Sequence, residues 1–159
     1  MKSLRDVIGT ISNGYRGAGI VFICGDEVLM QLRRHPPVWS FVGGGFDRRK
    51  DHDLLDTALR EFFEETGVRL SRENVISKPV HSLGFWRFRW NLYLYFSDVR
   101  ISTSDAPARY SHEYQKYRYV NLYRYKDELK SEVHNKTFLF VPYQMRLIRK
   151  YIRRNNLNI

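Results

Sequence analysis

Three consecutive glycines, Gly43 to Gly45, are the feature that most limits how this chain can fold. They follow Trp39-Ser-Phe-Val, whose aromatic and β-branched residues are typical of a strand. Glycine is required where the backbone adopts a positive φ or where another segment or a ligand comes very close. We therefore expect a strand to end at these glycines and to give way to a tight loop.

An amphipathic helix is predicted after this loop, from about Asp53 to Thr66. Its apolar residues recur at helical spacing, and Gly67 stands where a left-handed cap would end the helix. These apolar positions are Leu55, Ala58, Leu59, Phe62 and Phe63. At 100° per residue, Glu61, Glu64 and Glu65 share one face, roughly opposite most of the apolar residues.

Three carboxylates this close together repel one another unless a cation lies between them. Hard Mg²⁺ or Mn²⁺ prefers oxygen ligands and keeps waters for a phosphate substrate, so the cluster Glu61, Glu64 and Glu65 is a candidate metal site. The alternative is an acidic helix face that is simply solvated. The glycine segment just before the helix favours the metal site.

The remaining elements predict an α/β layered fold in a single domain over residues 1–159. Two apolar runs in residues 18–32, separated by Gly25-Asp26, indicate a hairpin. Strict alternation from Trp86 to Phe96 predicts an antiparallel strand with one face in the core, and residues 117–121 predict another strand. A basic amphipathic helix is expected at about 142–154.

Charge and cysteine content restrict the class of protein. The 159 residues include 27 Lys and Arg against 17 Asp and Glu, a formal charge of +10. Residues 46–68 hold four basic and seven acidic side chains, so this segment carries −3 and the rest +13. The single cysteine, Cys24, excludes an internal disulfide, and no apolar run approaches a membrane span or a signal peptide. We expect a cytoplasmic protein that attracts polyanions and has no membrane partner.

The segment Gly43-Gly44-Gly45-Phe46-Asp47, followed by Arg60-Glu61-Phe62-x-Glu64-Glu65-x-Gly67-Val68, resembles the Nudix box of the Nudix hydrolases. The second half of the motif matches at every defined position. The resemblance implies an α/β/α sandwich around a central mixed β-sheet. It also implies hydrolysis of a nucleoside diphosphate linked to another group, and assembly as a homodimer in many relatives.

Two positions depart from the motif. The stretch between the glycines and Arg60 is one or two residues longer than usual, so the earlier glutamate of the box falls on His52. Either Asp51 or Asp53 could supply the missing carboxylate. The usual proline before the glycines is replaced by Val42.

By the same resemblance, Glu61, Glu64 and Glu65 hold Mg²⁺, with Mn²⁺ as an alternative ion. The backbone carbonyl of Gly43 helps to bind the metal, and Arg60 orients the carboxylates. The catalytic general base is either Glu61 or a glutamate on a later loop, for which Glu113 is the candidate. A catalytic set of Arg60, Glu61, Glu64 and Glu113 is therefore expected.

Four arginines are the candidates for binding substrate, namely Arg16, Arg33, Arg87 and Arg89. Gly14-Tyr15-Arg16 with Gly19-Ile20-Val21 resembles the start of bacterial RNA 5′ pyrophosphohydrolases, in which the arginine helps to bind the terminal phosphates. Arg87 and Arg89 are expected to share a strand face with Tyr93 and Tyr95, a combination suited to phosphate contact and base stacking. An outward sheet face covered by long side chains is the alternative.

The leading hypothesis is a Mg²⁺-dependent pyrophosphohydrolase that cleaves a phosphate-rich nucleotide. The substrates considered are a nucleoside triphosphate, a dinucleoside polyphosphate and the 5′ end of RNA. One alternative is hydrolysis of a GDP-sugar or another nucleotide sugar, with His112 as the base. The other is a non-catalytic domain that binds RNA or a nucleotide.

Overall fold

A mixed sheet of seven strands forms the centre of the computed structural model, which describes residues 14–102 and 114–159. The strands are β1 Tyr15–Cys24, β2 Glu27–Arg33, β3 Trp39–Ser40, β4 Val42–Gly45, β5 Val75–Phe85, β6 Phe88–Ser97 and β7 Tyr114–Asn121. β1 and β6 are parallel, and every other strand pair is antiparallel. The hairpin predicted within residues 18–32 is confirmed as β1 and β2.

Three α-helices accompany the sheet in the described part of the chain: α1 Leu54–Thr66, α2 Tyr125–Leu129 and α3 Val141–Arg154. A 3₁₀ turn, Arg72–Asn74, precedes β5. Asp53 caps α1 by accepting a hydrogen bond from the backbone amide of Asp56, and Gly67 ends the helix at φ 75°. The predicted boundaries of α1 and its glycine cap are therefore confirmed. Within the described residues, no helix has the length and apolar character needed to cross a membrane.

The two longer helices cover opposite faces of the sheet and create two apolar cores. Phe62 of α1 packs with Ile20 and Phe22 of β1 on one face. Met145 and Ile148 of α3 pack on the other face, together with alternate residues of β1 and β6. This arrangement confirms the α/β/α sandwich around a mixed sheet.

Strand β6 differs from the prediction in two ways. The alternating pattern begins at Trp86, but Trp86 lies in the turn between β5 and β6 and is 84% exposed. Both faces of the strand are buried at its centre, because Leu92 and Leu94 enter one core while Tyr93 enters the other. The prediction of one core face was wrong because β6 lies inside the sheet, between β1 and β5.

Strand β1 changes its neighbour halfway along its length. Ile23 and Cys24 pair with β2, whereas residues 17–20 pair with β4. Between these regions the segment β3–β4 crosses from β2 to β1, with Trp39 and Ser40 paired to β2 and Val42 paired to β1. The sheet consequently forks, and the glycine-rich strand β4 lies in the fork beside helix α1.

Candidate active site

The glycines of β4 allow close approach of both a neighbouring strand and helix α1. A Cβ placed on Gly43 would lie 2.5 Å from the carbonyl oxygen of Ala18, and one on Gly44 would lie 2.3 Å from Oε2 of Glu61. Among the described glycines, positive φ occurs at Gly14, Gly25 and Gly67, but not in β4. The predicted loop at Gly43 to Gly45 was therefore wrong. Close approach is the reason for Gly43 and Gly44, and the strand continues to Gly45.

Arg60 joins the carboxylates of the site by hydrogen bonds. Its Nη1 donates to Oε1 of Glu61 at 2.7 Å and to Oε2 of Glu64 at 2.9 Å. Its Nη2 donates to the carbonyl oxygen of Gly45 at 2.8 Å, which joins α1 to the end of β4. Hydrogen bonds to Asp51, together with Glu61, raise the pKa of the Arg60 guanidinium against the opposing effect of burial.

Asp51, and not Asp53, supplies the carboxylate that the sequence motif lacks. Its two oxygens accept from Nε and Nη2 of Arg60 at 2.8 and 2.9 Å. Oδ2 also accepts from the Asp47 amide and from the Thr57 hydroxyl. Burial alone would raise the pKa of Asp51, but these hydrogen bonds hold it below its ordinary value.

The two neighbours of Asp51 have other roles. His52 is exposed, and its backbone amide donates to Oδ2 of Asp56. Asp53 serves as the helix cap and pairs with Arg72. The extra length of the loop therefore turns His52 outward while Asp51 reaches back to Arg60.

The helical spacing predicted that the three glutamates lie opposite the apolar face of α1. The structure differs from this prediction. Glu65 is at the margin of the buried face and is only 3% exposed, while the side chains of Glu61 and Glu64 are 16% and 23% exposed. Two tyrosines border the cluster. Burial and the charge of Glu61 raise the pKa of Tyr15, and the hydroxyl of Tyr117 donates to the backbone oxygen of Glu65 at 2.7 Å.

A hard divalent cation fits the chemistry of these donors. Glu61, Glu64 and Glu65 offer carboxylate oxygens only, and the absence of a side chain on Gly44 lets the Glu61 carboxylate lie directly against β4. Within residues 14–102 and 114–159, no group of three or more His, Cys, Asp or Glu side chains is already arranged around a common point. In this arrangement the guanidinium of Arg60 supplies the positive charge between Glu61 and Glu64.

The predicted substrate arginines fall into two places. Arg16 on β1 and Arg89 on β6 are register partners, and the Arg16 guanidinium lies 4.1 Å from the ring centre of Phe46. Arg87 is in the β5–β6 turn next to Gly14. Arg33 ends β2 on the other side of the fork, near enough to Tyr15 to oppose the rise of the pKa of that phenol.

The expected surface of Arg87 and Arg89 with Tyr93 and Tyr95 does not form. Tyr93 is 5% exposed and both it and Tyr95 pack in the core beneath α1, so neither forms a stacking surface with Arg87 or Arg89. Burial of the centre of β6 is the physical reason. Glu113 and His112, the candidate bases on a later loop, lie outside the described residues.

Two residues near the site were not identified from the sequence. Tyr15 and Tyr117 border the carboxylates. Tyr15 is part of the Gly-Tyr-Arg motif, which was a usable signal. Tyr117 begins a predicted strand, but nothing in the pattern shows that β7 passes close to α1.

Comparison with known proteins supports the geometry. Residues 15–140 match the NUDIX domain family. The chain belongs to this family. As a Nudix protein it shares the α/β/α architecture described above.

Two curated relatives and one solved structure illustrate the similarity. A peroxisomal coenzyme A diphosphatase of Caenorhabditis elegans is 38% identical over a 79-position alignment covering 43% of this chain and 33% of the relative. An m7GpppN-mRNA hydrolase of Danio rerio is 44% identical over 55 residues, 35% of this chain and 17% of the relative. The Nudix chain thus spans a third or less of these relatives.

The solved structure is the NUDIX domain of Shewanella oneidensis NrtR, in complex with ADP ribose. It superimposes with a TM-score of 0.63 at 15% identity, covering 94% of this chain and 99% of that domain. At this identity the likeness establishes the fold alone.

Proposed function

We propose that this Nudix protein is a Mg²⁺-dependent pyrophosphohydrolase that cleaves the diphosphate linkage of a phosphate-rich nucleotide. The observation that carries the proposal is the arrangement of Glu61 and Glu64 on Arg60, which Asp51 anchors from behind. Oxygen donors held this close together, beside a strand without side chains, suit a cation and a phosphate group. The candidate substrates remain a nucleoside triphosphate, a dinucleoside polyphosphate and the 5′ end of RNA.

Glu61, Glu64 and Glu65 would hold the cation, and the carbonyl of Gly43 would complete the protein ligands. When bound, the cation would neutralise the diphosphate and lower the pKa of a coordinated water, so that the water can lose a proton and attack phosphorus. Mn²⁺ has the same preference for oxygen ligands and is the alternative ion.

The residues of the protein position the carboxylates and remove a proton from the attacking water. Arg60 donates to the carboxylates of Glu61 and Glu64 and directs them to the same side of α1. As the general base, Glu61 would take the proton of the attacking water on Oε2, because Oε1 accepts from Arg60. Glu113 is the alternative base.

The names of the similar proteins agree with this substrate class. Coenzyme A, the m7GpppN cap and ADP ribose all contain a phosphoric anhydride joined to a nucleoside. Their common chemistry supports a nucleoside diphosphate group as the recognised part. The exposed arginines Arg16, Arg33, Arg87 and Arg89 are proposed to bind the phosphates and the attached group.

Replacement of Glu64 tests the proposal directly. We expect Glu64→Gln to lower turnover by about 100-fold or more, because a lost metal ligand removes several kcal/mol of transition-state stabilisation. The substrates are a nucleotide panel with triphosphorylated and capped RNA, in Mg²⁺ or Mn²⁺. Mass analysis of products formed in H₂¹⁸O locates the attacked phosphorus.

Glu73→Gln is the matched control, since Glu73 is an exposed glutamate on the 3₁₀ turn. Equal turnover of wild type and Glu64→Gln would disprove the metal role. Tight, salt-sensitive RNA binding without hydrolysis of any panel member would favour the non-catalytic alternative.

A further inference from the structure

An aromatic surface lies at the end of the β5–β6 hairpin. It consists of Tyr15, Phe85, Trp86, Phe88 and Trp90, and is called the aromatic platform below. Tyr15 stacks with Phe88 at 5.6 Å and with Trp90 at 6.4 Å between ring centres. Phe85, the register partner of Phe88, is 69% exposed, and Trp86 is 84% exposed. The platform is therefore open to a ligand with flat rings.

Trp86 occupies a backbone conformation that disfavours a bulky side chain. Its φ is 47°, in the left-handed region where Asn and Gly are more stable. The side chain does not repay this strain by entering either core. The two-residue turn between Phe85 and Phe88 requires a positive φ, but it does not require an exposed tryptophan in place of Gly or Asn. An aromatic residue kept at this position therefore points to a role outside folding.

Three exposed arginines accompany the platform: Arg16, Arg87 and Arg89, called the arginine flank. The sequence from 75 to 97, which includes the whole hairpin, contains no Asp or Glu. The positive charge of the flank is thus not offset within its own hairpin. A second copy of this chain would bring like charges together, which disfavours self-association through this surface.

The arginine flank is continuous with the active site. Arg16 and Arg89 are register partners, so their side chains project from the same face of the sheet, the one covered by α1. Tyr15, Phe88 and Trp90 project from the opposite face, because neighbouring residues of a strand alternate. Arg87 lies between the two faces, in the turn of the hairpin. The Arg16 guanidinium covers Phe46, whose amide donates to the Arg16 carbonyl at 2.8 Å. Phe46 directly follows Gly45, the acceptor of the Arg60 hydrogen bond. The platform reaches the same Gly45 from the other face of the sheet, since a Cβ on Gly45 would lie 3.8 Å from the ring of Tyr15. A ligand at the end of the hairpin can therefore approach the carboxylates along either face.

We propose that the aromatic platform and the arginine flank bind single-stranded RNA, with its 5′ phosphates directed to the active site. Unpaired bases stack on exposed aromatic rings, and arginines bind the phosphates between them. RNA is the single strand that is synthesised with a 5′ triphosphate, so it meets both surfaces at once. The catalytic part of this inference rests on the proposed function, whereas the binding part does not.

Fluorescence anisotropy tests the binding part. The probe is a 12-nucleotide single-stranded RNA with a 5′ monophosphate and a 3′ fluorophore, measured in EDTA so that hydrolysis cannot occur. We expect the double variant Phe85→Thr/Trp86→Asn to weaken binding by about tenfold or more, because two stacking side chains are removed. Asn suits the left-handed φ, so the melting temperature should be unchanged or higher.

Tyr123→Asn is the matched control, since Tyr123 is an exposed aromatic near Asp26, at the other end of β1. Separate Arg87→Gln and Arg89→Gln variants should each reduce the slope of log affinity against log salt by about 0.7. Equal RNA affinity of the double variant and wild type would overturn the inference. So would an equal loss in Tyr123→Asn, a preference for DNA of the same sequence, or a wild type that does not bind RNA.

The two proposals fail separately. If Glu64→Gln retains full turnover while the double variant loses RNA affinity, the proposed function is wrong and the RNA surface stands. If nucleotides are hydrolysed but the double variant binds RNA like wild type, only the RNA surface is wrong. With both correct, the double variant should raise KM for triphosphorylated RNA about tenfold at unchanged kcat.

Discussion

The contact between Asp51 and Arg60 decides how this site departs from the sequence motif. Both carboxylate oxygens of Asp51 accept hydrogen bonds from Arg60, while His52, the residue at the motif position, faces solvent. The buried carboxylate is therefore retained although its place in the sequence has moved. In the proposed function, Asp51 would act on catalysis through Arg60, which donates to both Glu61 and Glu64.

Asp51→Asn should lower the free energy of unfolding by about 3 kcal/mol at pH 7, since it leaves Arg60 without its main partner. The native pKa of Asp51 lies below its ordinary value. The extra free energy of unfolding of wild type over Asp51→Asn is therefore complete above the unfolded-state pKa of about 3.9. It is lost as the pH falls through the lower native pKa. Urea denaturation at pH 7, 5 and 3 measures this difference.

His52→Asn serves as the control, with an expected change within about 0.5 kcal/mol because His52 is exposed. A difference between wild type and Asp51→Asn that is the same at all three pH values would contradict the ionised pair.

At the scale of elements, strand β4 contains two glycines with different neighbours, one in the sheet and one in the candidate site. Gly43 faces the backbone of β1, whereas Gly44 faces the side chain of Glu61 on α1. A change at one position therefore disturbs the sheet, and a change at the next disturbs the carboxylates. These effects should separate in experiments.

Gly43→Ala should lower the free energy of unfolding by about 1–3 kcal/mol, because its Cβ meets backbone that cannot move aside. Gly44→Ala should cost less stability, because the flexible Glu61 side chain can move, but it should reduce kcat by about tenfold or more. Thermal denaturation and steady-state kinetics of both variants check the contrast. Gly84→Ala, which meets nothing within 4 Å, is the control. Equal kinetic loss in Gly43→Ala and Gly44→Ala would refute it.

What the sequence predicted at this scale depended on local patterns. Helix α1, its Gly67 cap and the first hairpin follow from periodicity and turn residues, which act within a few positions. The continuation of β4 through the glycines depends on pairing with β1 about 25 residues earlier in sequence. The choice of Asp51 over Asp53 depends on reach to Arg60, and the burial of Glu65 on the packing of α1 against the sheet. No local pattern carries this information.

At the scale of the whole molecule, the acidic segment 46–68 lies within a chain whose other residues carry +13. The candidate site is thus a negatively charged centre in a positively charged protein. Such a field attracts polyphosphates from solution before any specific contact forms. The organisation as one domain and the homodimer stay predictions.

The field should appear in the salt dependence of turnover. We expect kcat/KM for a nucleoside triphosphate to fall by about tenfold between 50 and 500 mM KCl, because salt screens the attraction between substrate and protein. The value of kcat should change much less, since the bound phosphates contact the protein directly. Initial rates at fixed free Mg²⁺ measure both quantities. A fall confined to kcat would show that salt acts on the chemical step or on folding instead.

The fork in the sheet determines where this chain can change in length. From Trp39 to Gly45 every residue except Phe41 is paired with a neighbouring strand, so one inserted residue would exchange the faces of the glycines and put a side chain where Glu61 now lies. From Asp47 to Asp53 no residue belongs to a strand. An insertion there costs little, provided that one carboxylate still reaches Arg60, and the longer loop ending in Asp51 and His52 has this form. The loop can therefore vary in length without changing the strand register that positions Gly44 beside Glu61.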